Sequence, residues 1–305
     1  MSGTILCLGA LTLDTIFRMD VLPQTAGKYL PGQAVQIAAG MASSAAAAIA
    51  RLGGSVALWA SVGRDATGGQ VVAELQAEGI DCSHIRRLES ARTAFSSILV
   101  DMAGERVIVP FYDPRLASPA EMVPPVSAER FSAVMADVRW PWAAEAGLTA
   151  ARRAGIPAIL DADTAPVSLL ERLLPLATHI VASEPAAASL AGTGDPAECV
   201  AVLANRYDVF TAVTAGPLGC YWTEHAGRPV RHVGGFAVPV VDTLSAGDVF
   251  HGAFALGLVE GRPMDAVIRF ANAAAAIKCA RFGGRSGSPS RAEVLAFMES
   301  GVVPA

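Results

Sequence analysis

The sequence predicts an α/β protein with three layers, in which helices cover both faces of a mainly parallel central sheet. Short β-rich runs alternate along the chain with Ala- and Leu-rich stretches, which is the pattern of successive strand–helix–strand units. Two segments, 17–35 and 93–111, break this rhythm with prolines, glycines and alternating β-branched residues. They predict antiparallel ribbons that form a small β-sheet beside the main layers.

The individual elements follow from local composition. Each predicted strand is a short run of β-branched and apolar residues, and these runs are 4–9, 56–61, 158–161, 180–182 and 209–214. Each predicted helix is rich in Ala and Leu, and these stretches are 43–52, 69–78, 143–154, 186–190 and 265–279. No internal repeat or low-complexity linker divides the series, so we expect a single domain over 1–305.

The charge balance limits the kind of partner. The chain of 305 residues is 52% hydrophobic and has a formal net charge of −5. No block of Lys and Arg occurs that could neutralise nucleic-acid phosphates or lipid head groups. We therefore expect a small-molecule substrate, and neither a nucleic acid nor a membrane as partner.

The cysteines indicate a reducing compartment. They are odd in number, far apart and never in a C-x-x-C arrangement, which argues against a disulfide framework and a zinc site. The N-terminus lacks a signal-type apolar core, and charged residues interrupt the Ala-rich helices before they reach membrane-spanning length. We expect a cytoplasmic protein. The five cysteines are Cys7, Cys82, Cys199, Cys220 and Cys279.

The run V-D-T-L-S-A-G-D, followed by small and apolar residues, predicts a phosphate site that contains a base. Ser245, Ala246 and Gly247 are small enough for their amides to approach a phosphate oxygen at the positive end of the following helix. Asp248 could take a proton from an alcohol while those amides hold the charge of a transferring phosphoryl group. Alternatively, Asp248 only caps the helix, which explains one acidic residue but not the whole run.

These residues resemble the D-T-x-(G/S)-A-G-D signature of the PfkB (ribokinase-like) carbohydrate kinases, and the similarity extends over nearly the whole chain. The resemblance implies a ribokinase-like fold whose lid comes from the two irregular segments. It also implies an enzyme that uses ATP and Mg²⁺ to phosphorylate a sugar hydroxyl, and that dimerises through its lid.

The first half of the chain resembles the sugar-binding half of the family. Asp14, which follows Gly9 after the first strand, corresponds to a carboxylate that accepts hydrogen bonds from sugar hydroxyls. Gly40 lies in a stretch like the family's G-G-x-x-x-N, where the backbone approaches the ligand. Ser44 replaces the Asn of that motif and is a candidate sugar contact. Without the resemblance, an Asp after a strand is usually a turn former.

The second half resembles the nucleotide site. Thr214, Gly216 and Gly219 match the family's T-x-G-x-x-G, whose glycines let the backbone approach ATP. Asn272 lies on a predicted helix where relatives contact the adenine region. The alternative interpretations are an ordinary hairpin for the two glycines and an ordinary polar helix residue for Asn272.

Two ion sites are also implied. The loop 281–288, together with Asp242, resembles the segment whose carbonyls hold a monovalent cation in many relatives, so K⁺ dependence is a hypothesis. The family commonly organises Mg²⁺ with the Glu of N-x-x-E. Here Ser183 replaces the Asn and Ala186 the Glu, which leaves Glu184 as the substitute.

The acceptor sugar is the least determined feature. Lys28 and Arg139 lie in stretches that resemble the sulfofructose kinase branch, and they could clamp a sulfonate on a ketose such as 6-deoxy-6-sulfofructose. Alternatively, Lys28 is a solvated lid residue and Arg139 pairs with Asp137 or another local acid. A neutral sugar such as fructose, a keto-deoxy sugar acid and a nucleoside are the other acceptors, and a nucleotide-binding regulator without turnover is the non-enzymatic alternative.

Overall fold

The computed structural model describes residues 3–304, which form one nine-stranded sheet, a separate four-stranded sheet and surrounding helices. The strands are β1 Ile5–Gly9, β2 Thr12–Arg18, β3 Gln33–Ala39, β4 Val56–Gly63, β5 Arg86–Leu88, β6 Ala94–Val100, β7 Arg106–Phe111, β8 Ala133–Ala136, β9 Ala158–Ala162, β10 His179–Ser183, β11 Phe210–Thr214, β12 Cys220–Thr223 and β13 Arg231–Val233. The helices are α1 Met41–Arg51, α2 Ala66–Ala77, α3 Pro141–Arg153, α4 Val167–Leu173, α5 Glu184–Ala191, α6 Pro196–Tyr207, α7 Ala246–Val259, α8 Met264–Cys279 and α9 Arg291–Ser300.

The predicted fold class is confirmed. The large sheet has the order β13-β12-β11-β10-β9-β8-β1-β4-β5 and is parallel except for the last two strands at the β13 edge. One apolar cluster packs α1, α7 and α8 on one face, and a second packs α3, α5 and α6 on the other. The main strands are mostly apolar because they are covered on both faces.

The sheet places its polar residues at one edge. Because β1 lies between β8 and β4, the chain crosses from one half of the sheet to the other at this strand. Open α/β sheets bind ligands at such a crossing, outside the carboxyl ends of the strands. Asp161 of β9, Ser183 of β10 and Thr214 of β11 lie at this edge.

The small sheet contains the two expected antiparallel hairpins, and strands β2 and β6 join them in parallel. The first hairpin is formed by β2 and β3, so 17–35 covers only the end of one strand, the turn and the start of the other. This difference in bounds arises because β2 follows β1 after only two residues, so the sequence does not separate the two strands.

Strand β7 gives the small sheet two different faces. Arg106, Ile108 and Pro110 line a cavity between the two sheets. Val107 and Val109 alternate with them and are 43% and 62% exposed. The face away from the cavity is therefore apolar and open.

No helix within residues 3–304 combines the length and the apolar character that a bilayer crossing requires.

Candidate active site

A cavity of about 780 Å³ lies between the carboxyl edge of the main sheet and the small sheet. Asp248 lines it from the start of α7, and Asp14 lines it from strand β2. Arg106 and Arg139 also reach it, from β7 and from the segment after β8. The cavity therefore brings two carboxylates and two guanidinium groups from distant parts of the chain to one place.

The start of α7 has the geometry of an anion site. Ser245 adopts the left-handed conformation, with φ 61°, although it is not a glycine. The amide of Val249 donates to the carbonyl of Ser245. The amides before Val249 lie in the first turn of the helix, where no carbonyl of the same helix can accept their hydrogen bonds. Of these, Ala246 makes a 3.2 Å contact with the Thr243 carbonyl. The helix end thus directs its positive pole at the cavity that Gly247 lines.

Asp248 has the electrostatic character of a base. Burial raises its pKa well above the ordinary value, and Asp161 raises it further, whereas His251 and the Ser245 hydroxyl lower it. Desolvation disfavours the ionised form, so a proton taken from a substrate is held more firmly. Asp248 is therefore more than a helix cap, because it is a half-buried carboxylate that lines a cavity.

Asp14 lies in a strand of the small sheet rather than in a turn. Its Oδ1 accepts a 2.9 Å hydrogen bond from the Thr12 hydroxyl. Burial raises the pKa of Asp14, while hydrogen bonds from Thr12 and Ser96 lower it. A carboxylate that lines a cavity in this way can accept hydrogen bonds from ligand hydroxyls.

Gly40 lines the cavity next to the start of α1. Its φ is 108°, and a Cβ there would lie 2.6 Å from the Ala10 carbonyl oxygen. The close contact with the Ala10 backbone is therefore enough to require a glycine at this position. Backbone approach to a ligand remains a prediction.

Ser44 does not line the cavity. Its side chain is fully buried in α1, and its hydroxyl finds no hydrogen-bond partner within residues 3–304. This placement does not support the sugar contact predicted at Ser44, which stays a prediction.

The predicted nucleotide residues divide into two groups. Thr214 lines the cavity at the end of β11, and Gly216 has a positive φ with no atom within 4 Å of a built Cβ. In contrast, a Cβ at Gly219 would lie 2.2 Å from the Val233 carbonyl oxygen. Asn272 donates its amide hydrogens to the carbonyls of Val233 and Gly234, both at 3.1 Å. These last two positions therefore shape the hairpin, and a nucleotide contact by either stays a prediction.

Asp242 is fully buried and accepts hydrogen bonds from the amides of Leu244, Gly283 and Gly284. Its carbonyl and carboxylate oxygens also face the ammonium group of Lys278, at 2.6 and 3.1 Å. Burial lowers the pKa of Lys278, and Asp242 opposes that shift. The oxygen atoms expected to coordinate K⁺ are thus engaged by a lysine, so the residues present do not fit the ion.

The two predicted clamp residues are not brought together. Arg139 lines the cavity, but its guanidinium group donates to Asp163 Oδ2 at 3.2 Å and to the Thr164 carbonyl at 3.1 Å. Only its backbone amide contacts Asp137. Lys28 is exposed in the turn between β2 and β3 and does not line the cavity. The interpretation that pairs Arg139 with a local acid is the one that the geometry favours.

A comparison with known protein families identifies the family of this chain. The model of the pfkB family carbohydrate kinases matches residues 3–291. The chain belongs to the PfkB family of carbohydrate kinases. It is therefore a phosphotransferase with an alcohol group as acceptor.

Individual relatives agree with this assignment. A ribokinase of Haemophilus influenzae is 32% identical over 315 residues, which cover 98% of this chain and 99% of the relative. A ribokinase of Bacillus subtilis is 27% identical over 291 residues, with 94% and 96% covered. No member of the sulfofructose kinase branch is among these relatives, so that finer resemblance is not supported by them.

Solved structures give the same fold. A protein of Agrobacterium tumefaciens, provisionally named a ribokinase, has a TM-score of 0.96 and 48% identity over the full length of both chains. An Arabidopsis thaliana ribokinase complexed with ribose and ATP has a TM-score of 0.79 and 21% identity, with 98% and 99% covered. The second likeness concerns the fold alone.

The family resemblance implies Mg²⁺ for this kinase, and the role of Glu184 in organising it stays a prediction. Glu184 is exposed at the start of α5 and does not line the cavity. Asp163 and Ser183 line it, and the Ser183 hydroxyl donates to Asp163 Oδ1 at 3.0 Å. Within residues 3–304 no three His, Cys, Asp or Glu side chains cluster to hold a metal, so the ion would depend on phosphate oxygens and water.

Sequence reasoning missed several cavity residues of this kinase. Asp161, Asp163 and His251 line the cavity, and Arg106 reaches it from the small sheet. Arg106 also donates a hydrogen bond to the Thr243 hydroxyl, directly before the anion site. The first two acids end the strand-like run I-L-D-A-D, and polar residues at a strand's carboxyl end are the signal that could have identified them.

Proposed function

We propose that this PfkB kinase transfers the γ-phosphoryl group of ATP to a hydroxyl of a neutral sugar of the ribose or fructose type. The observation that carries the proposal is the placement of Asp248 and Asp14 in one cavity. Asp14 would accept hydrogen bonds from sugar hydroxyls and orient the ring. Asp248 would face the hydroxyl that reacts.

The proposed reaction is a direct transfer. The sugar oxygen forms a bond to the γ-phosphorus while the bond from that phosphorus to the β-phosphate oxygen breaks, and ADP leaves. The hydroxyl proton goes to the Asp248 carboxylate, whose raised pKa favours its retention. Phosphoryl transfer depends chiefly on the positioning of the reactants and on stabilisation of the negative charge on the phosphoryl oxygens. The side chains therefore need to supply only one base in a cavity that holds both substrates.

Three groups would stabilise the phosphoryl charge. The amides of Ala246 and Gly247 lie at the positive end of α7. Arg106 brings a permanently charged guanidinium group to the same turn through its contact with Thr243. Mg²⁺, when bound with ATP near Asp163, would neutralise part of the triphosphate charge.

A neutral acceptor agrees with the charges of the cavity. Asp14 lines it, and its carboxylate would repel a terminal sulfonate. Arg139 is already paired with Asp163, and Lys28 lies outside the cavity. The names of the ribokinase relatives point the same way.

An anionic ketose such as 6-deoxy-6-sulfofructose is the second candidate, because Arg139 does line the cavity. Its pair with Asp163 is 36% exposed on each side, and an exposed ion pair is worth only about 0–1 kcal/mol. An incoming sulfonate could therefore compete for the guanidinium group. This candidate requires the turn that carries Lys28 to close over the sugar.

We also propose that the small sheet is a lid and a dimer contact, in a cytoplasmic protein. Val107 and Val109 leave an apolar face open, and β7 is an edge strand, so a second copy would cover both. The five cysteines are unpaired, as expected in a reducing compartment. Closure of the lid would exclude water and limit hydrolysis of ATP.

A kinetic panel tests the function. ATP consumption would be measured with ribose, fructose, 6-deoxy-6-sulfofructose, a keto-deoxy sugar acid and a nucleoside as acceptors. We expect the highest kcat/KM with a neutral sugar. A preference for the sulfosugar would select the second candidate, and ATP binding without transfer to any acceptor would select a regulator without turnover.

A further inference from the structure

Lysine is rare in this chain, and one of its two lysines has an unusual place. Of the 23 Lys and Arg residues, only Lys28 and Lys278 are lysines. Lys28 is exposed, whereas the side chain of Lys278 is 0% exposed. A buried ammonium group is costly unless oxygen atoms surround it, so its surroundings have to explain its presence.

The surroundings of Lys278 resemble the shell of a bound cation. Its Nζ lies 2.6 Å from the carbonyl oxygen of Asp242, 3.1 Å from the carboxylate of the same residue and 3.2 Å from the carbonyl oxygen of Arg281. An ammonium group has three hydrogens and no acceptor, so these three oxygens match its donors in number. Lys278 supplies a compact positive charge at the place where two loops meet.

Two further carbonyl oxygens of the loop 281–288 have a second charged side chain, that of Arg51, as partner. Arg51 Nη1 lies 2.7 Å from the Ser286 carbonyl oxygen and 3.1 Å from that of Ser288. The carbonyl oxygens of Arg281, Ser286 and Ser288 therefore have side chains from α8 and α1 as partners. A free alkali ion that used these oxygens would have to displace one of the side chains.

The ammonium group is linked to the proposed anion site through Asp242. The Asp242 carboxylate accepts hydrogen bonds from Leu244 in the turn that leads to α7 and from Gly283 and Gly284 in the other loop. Without Lys278 this fully buried carboxylate would lack the cation that lies beside it. The turn that positions Ser245 and the first amides of α7 would then lose its anchor.

We infer that Lys278 is a built-in monovalent cation, which fixes the turn before Asp248 and makes the kinase independent of K⁺. Lys278 is a positioning residue, since it touches neither the cavity nor a substrate. The inference rests on the proposed kinase function of the neighbouring cavity. It differs from the ion requirement that the family resemblance implies.

The first test uses the unmodified enzyme. Rates would be measured in choline chloride, KCl and NH₄Cl at equal ionic strength, with ATP supplied free of alkali ions. Because the site is already filled, kcat should agree within about twofold among the three salts. Strong activation by K⁺ over choline would overturn the inference.

Two variants separate the charge from the volume of the side chain. Lys278→Ala removes both and leaves a space bounded by oxygens, whereas Lys278→Met removes the charge and keeps much of the bulk. We expect kcat to fall about 10²-fold in both, as for a misplaced catalytic group, with a smaller change in KM. NH₄⁺ or K⁺ should restore activity in Lys278→Ala and not in Lys278→Met.

Thermal unfolding supplies a readout that needs no turnover. The Tm of Lys278→Ala should rise with NH₄Cl relative to choline chloride, because a cation that binds only the folded state stabilises it. The Tm values of the unmodified protein and of Lys278→Met should not differ between the salts. If Lys278 were only structural, both variants should lose the same amount of Tm, and no cation should restore it. That result would overturn the inference, whichever sugar the enzyme phosphorylates.

Discussion

His251 Nε2 lies 3.3 Å from Asp161 Oδ1, and both side chains are only 4% exposed. The other ring nitrogen lies 2.7 Å from the Gly247 carbonyl oxygen. Both ring nitrogens thus lie beside oxygen atoms. His251 lies one helical turn from Asp248 and lowers the pKa of that carboxyl, against burial and Asp161, which raise it.

Replacement of His251 by Gln should shift the pH dependence of the kinase. Burial and Asp161 raise the pKa of Asp248, and loss of the histidine, which lowers it, should raise that pKa further. The base is active when ionised, so the acid limb of the kcat profile should move to higher pH. Kinetics across the acid range would measure this, with His225→Gln, an exposed histidine outside the cavity, as the control. An unmoved acid limb would show that His251 does not act on the base.

Asp248→Asn should separate activity from stability. Loss of the proton acceptor should lower kcat by about 10² or more while ATP affinity stays within a few-fold. The folded-state pKa of Asp248 is raised, so its ionisation costs stability as pH rises from the ordinary value of about 3.9 through the raised one. The asparagine variant should therefore have a higher Tm than the unmodified protein at pH 7, and the difference should shrink at acid pH. Near-normal turnover would exclude Asp248 as the base.

Local patterns in the sequence predict the main features of this molecule. The strand at 158–161 is found at Ala158–Ala162, and the helix at 265–279 is found at Met264–Cys279. Periodicity suffices for such elements because each depends on its own residues. Asp248 is predicted for the same reason, since the small residues and the helix that define its surroundings are adjacent in the chain.

Long-range pairing could not be predicted in this way. Arg139 binds Asp163, a neighbour on the next strand, because both follow the carboxyl ends of adjacent parallel strands. Lys278 meets Asp242 across 36 residues, which only the packing of α8 against the turn determines. The parallel pair of β2 and β6 likewise depends on the route of the chain through the main sheet. The proposals on acceptor specificity and ion use rest on these contacts, which is why the sequence left both open.

Gly247→Val should damage the phosphate site without unfolding the protein. A Cβ at Gly247 meets no atom within 4 Å, and the residue lines the cavity, so the added side chain would compete with the phosphate for space. We expect kcat/KM for ATP to fall by about 10² or more, as when an oxyanion donor is lost. Gly69→Val is the matched control, because Gly69 lies in α2 with equal free space and away from the cavity. Unaltered kinetics in Gly247→Val would mean that no phosphate binds there.

Val109→Asp should disrupt a dimer formed through the small sheet. Val109 is 62% exposed on the apolar outer face of β7, and a carboxylate there would oppose its copy across a two-fold contact. Sedimentation velocity should give a dimer for the unmodified protein and a monomer for the variant. Val302→Asp, at a valine that is 69% exposed near the C-terminus, should leave the dimer intact. A monomeric unmodified protein would remove the dimer proposal and leave the kinase function untouched.

Arg139→Met distinguishes the two acceptor classes, since it keeps much of the bulk of Arg139 and removes its charge and donors. If Asp163 is the true partner of Arg139, the variant should lose the same modest factor in kcat/KM with fructose and with 6-deoxy-6-sulfofructose. If the guanidinium group instead binds a sulfonate, the charged contact is worth roughly 1.5–3 kcal/mol, and the sulfosugar alone should lose about ten- to a hundredfold. We expect the equal loss, with the unmodified enzyme preferring the neutral sugar. The anionic acceptor would replace the neutral one in the proposal if the variant lost kcat/KM with the sulfosugar alone and the unmodified enzyme preferred that sugar. The proposed role of Asp248 would be unchanged.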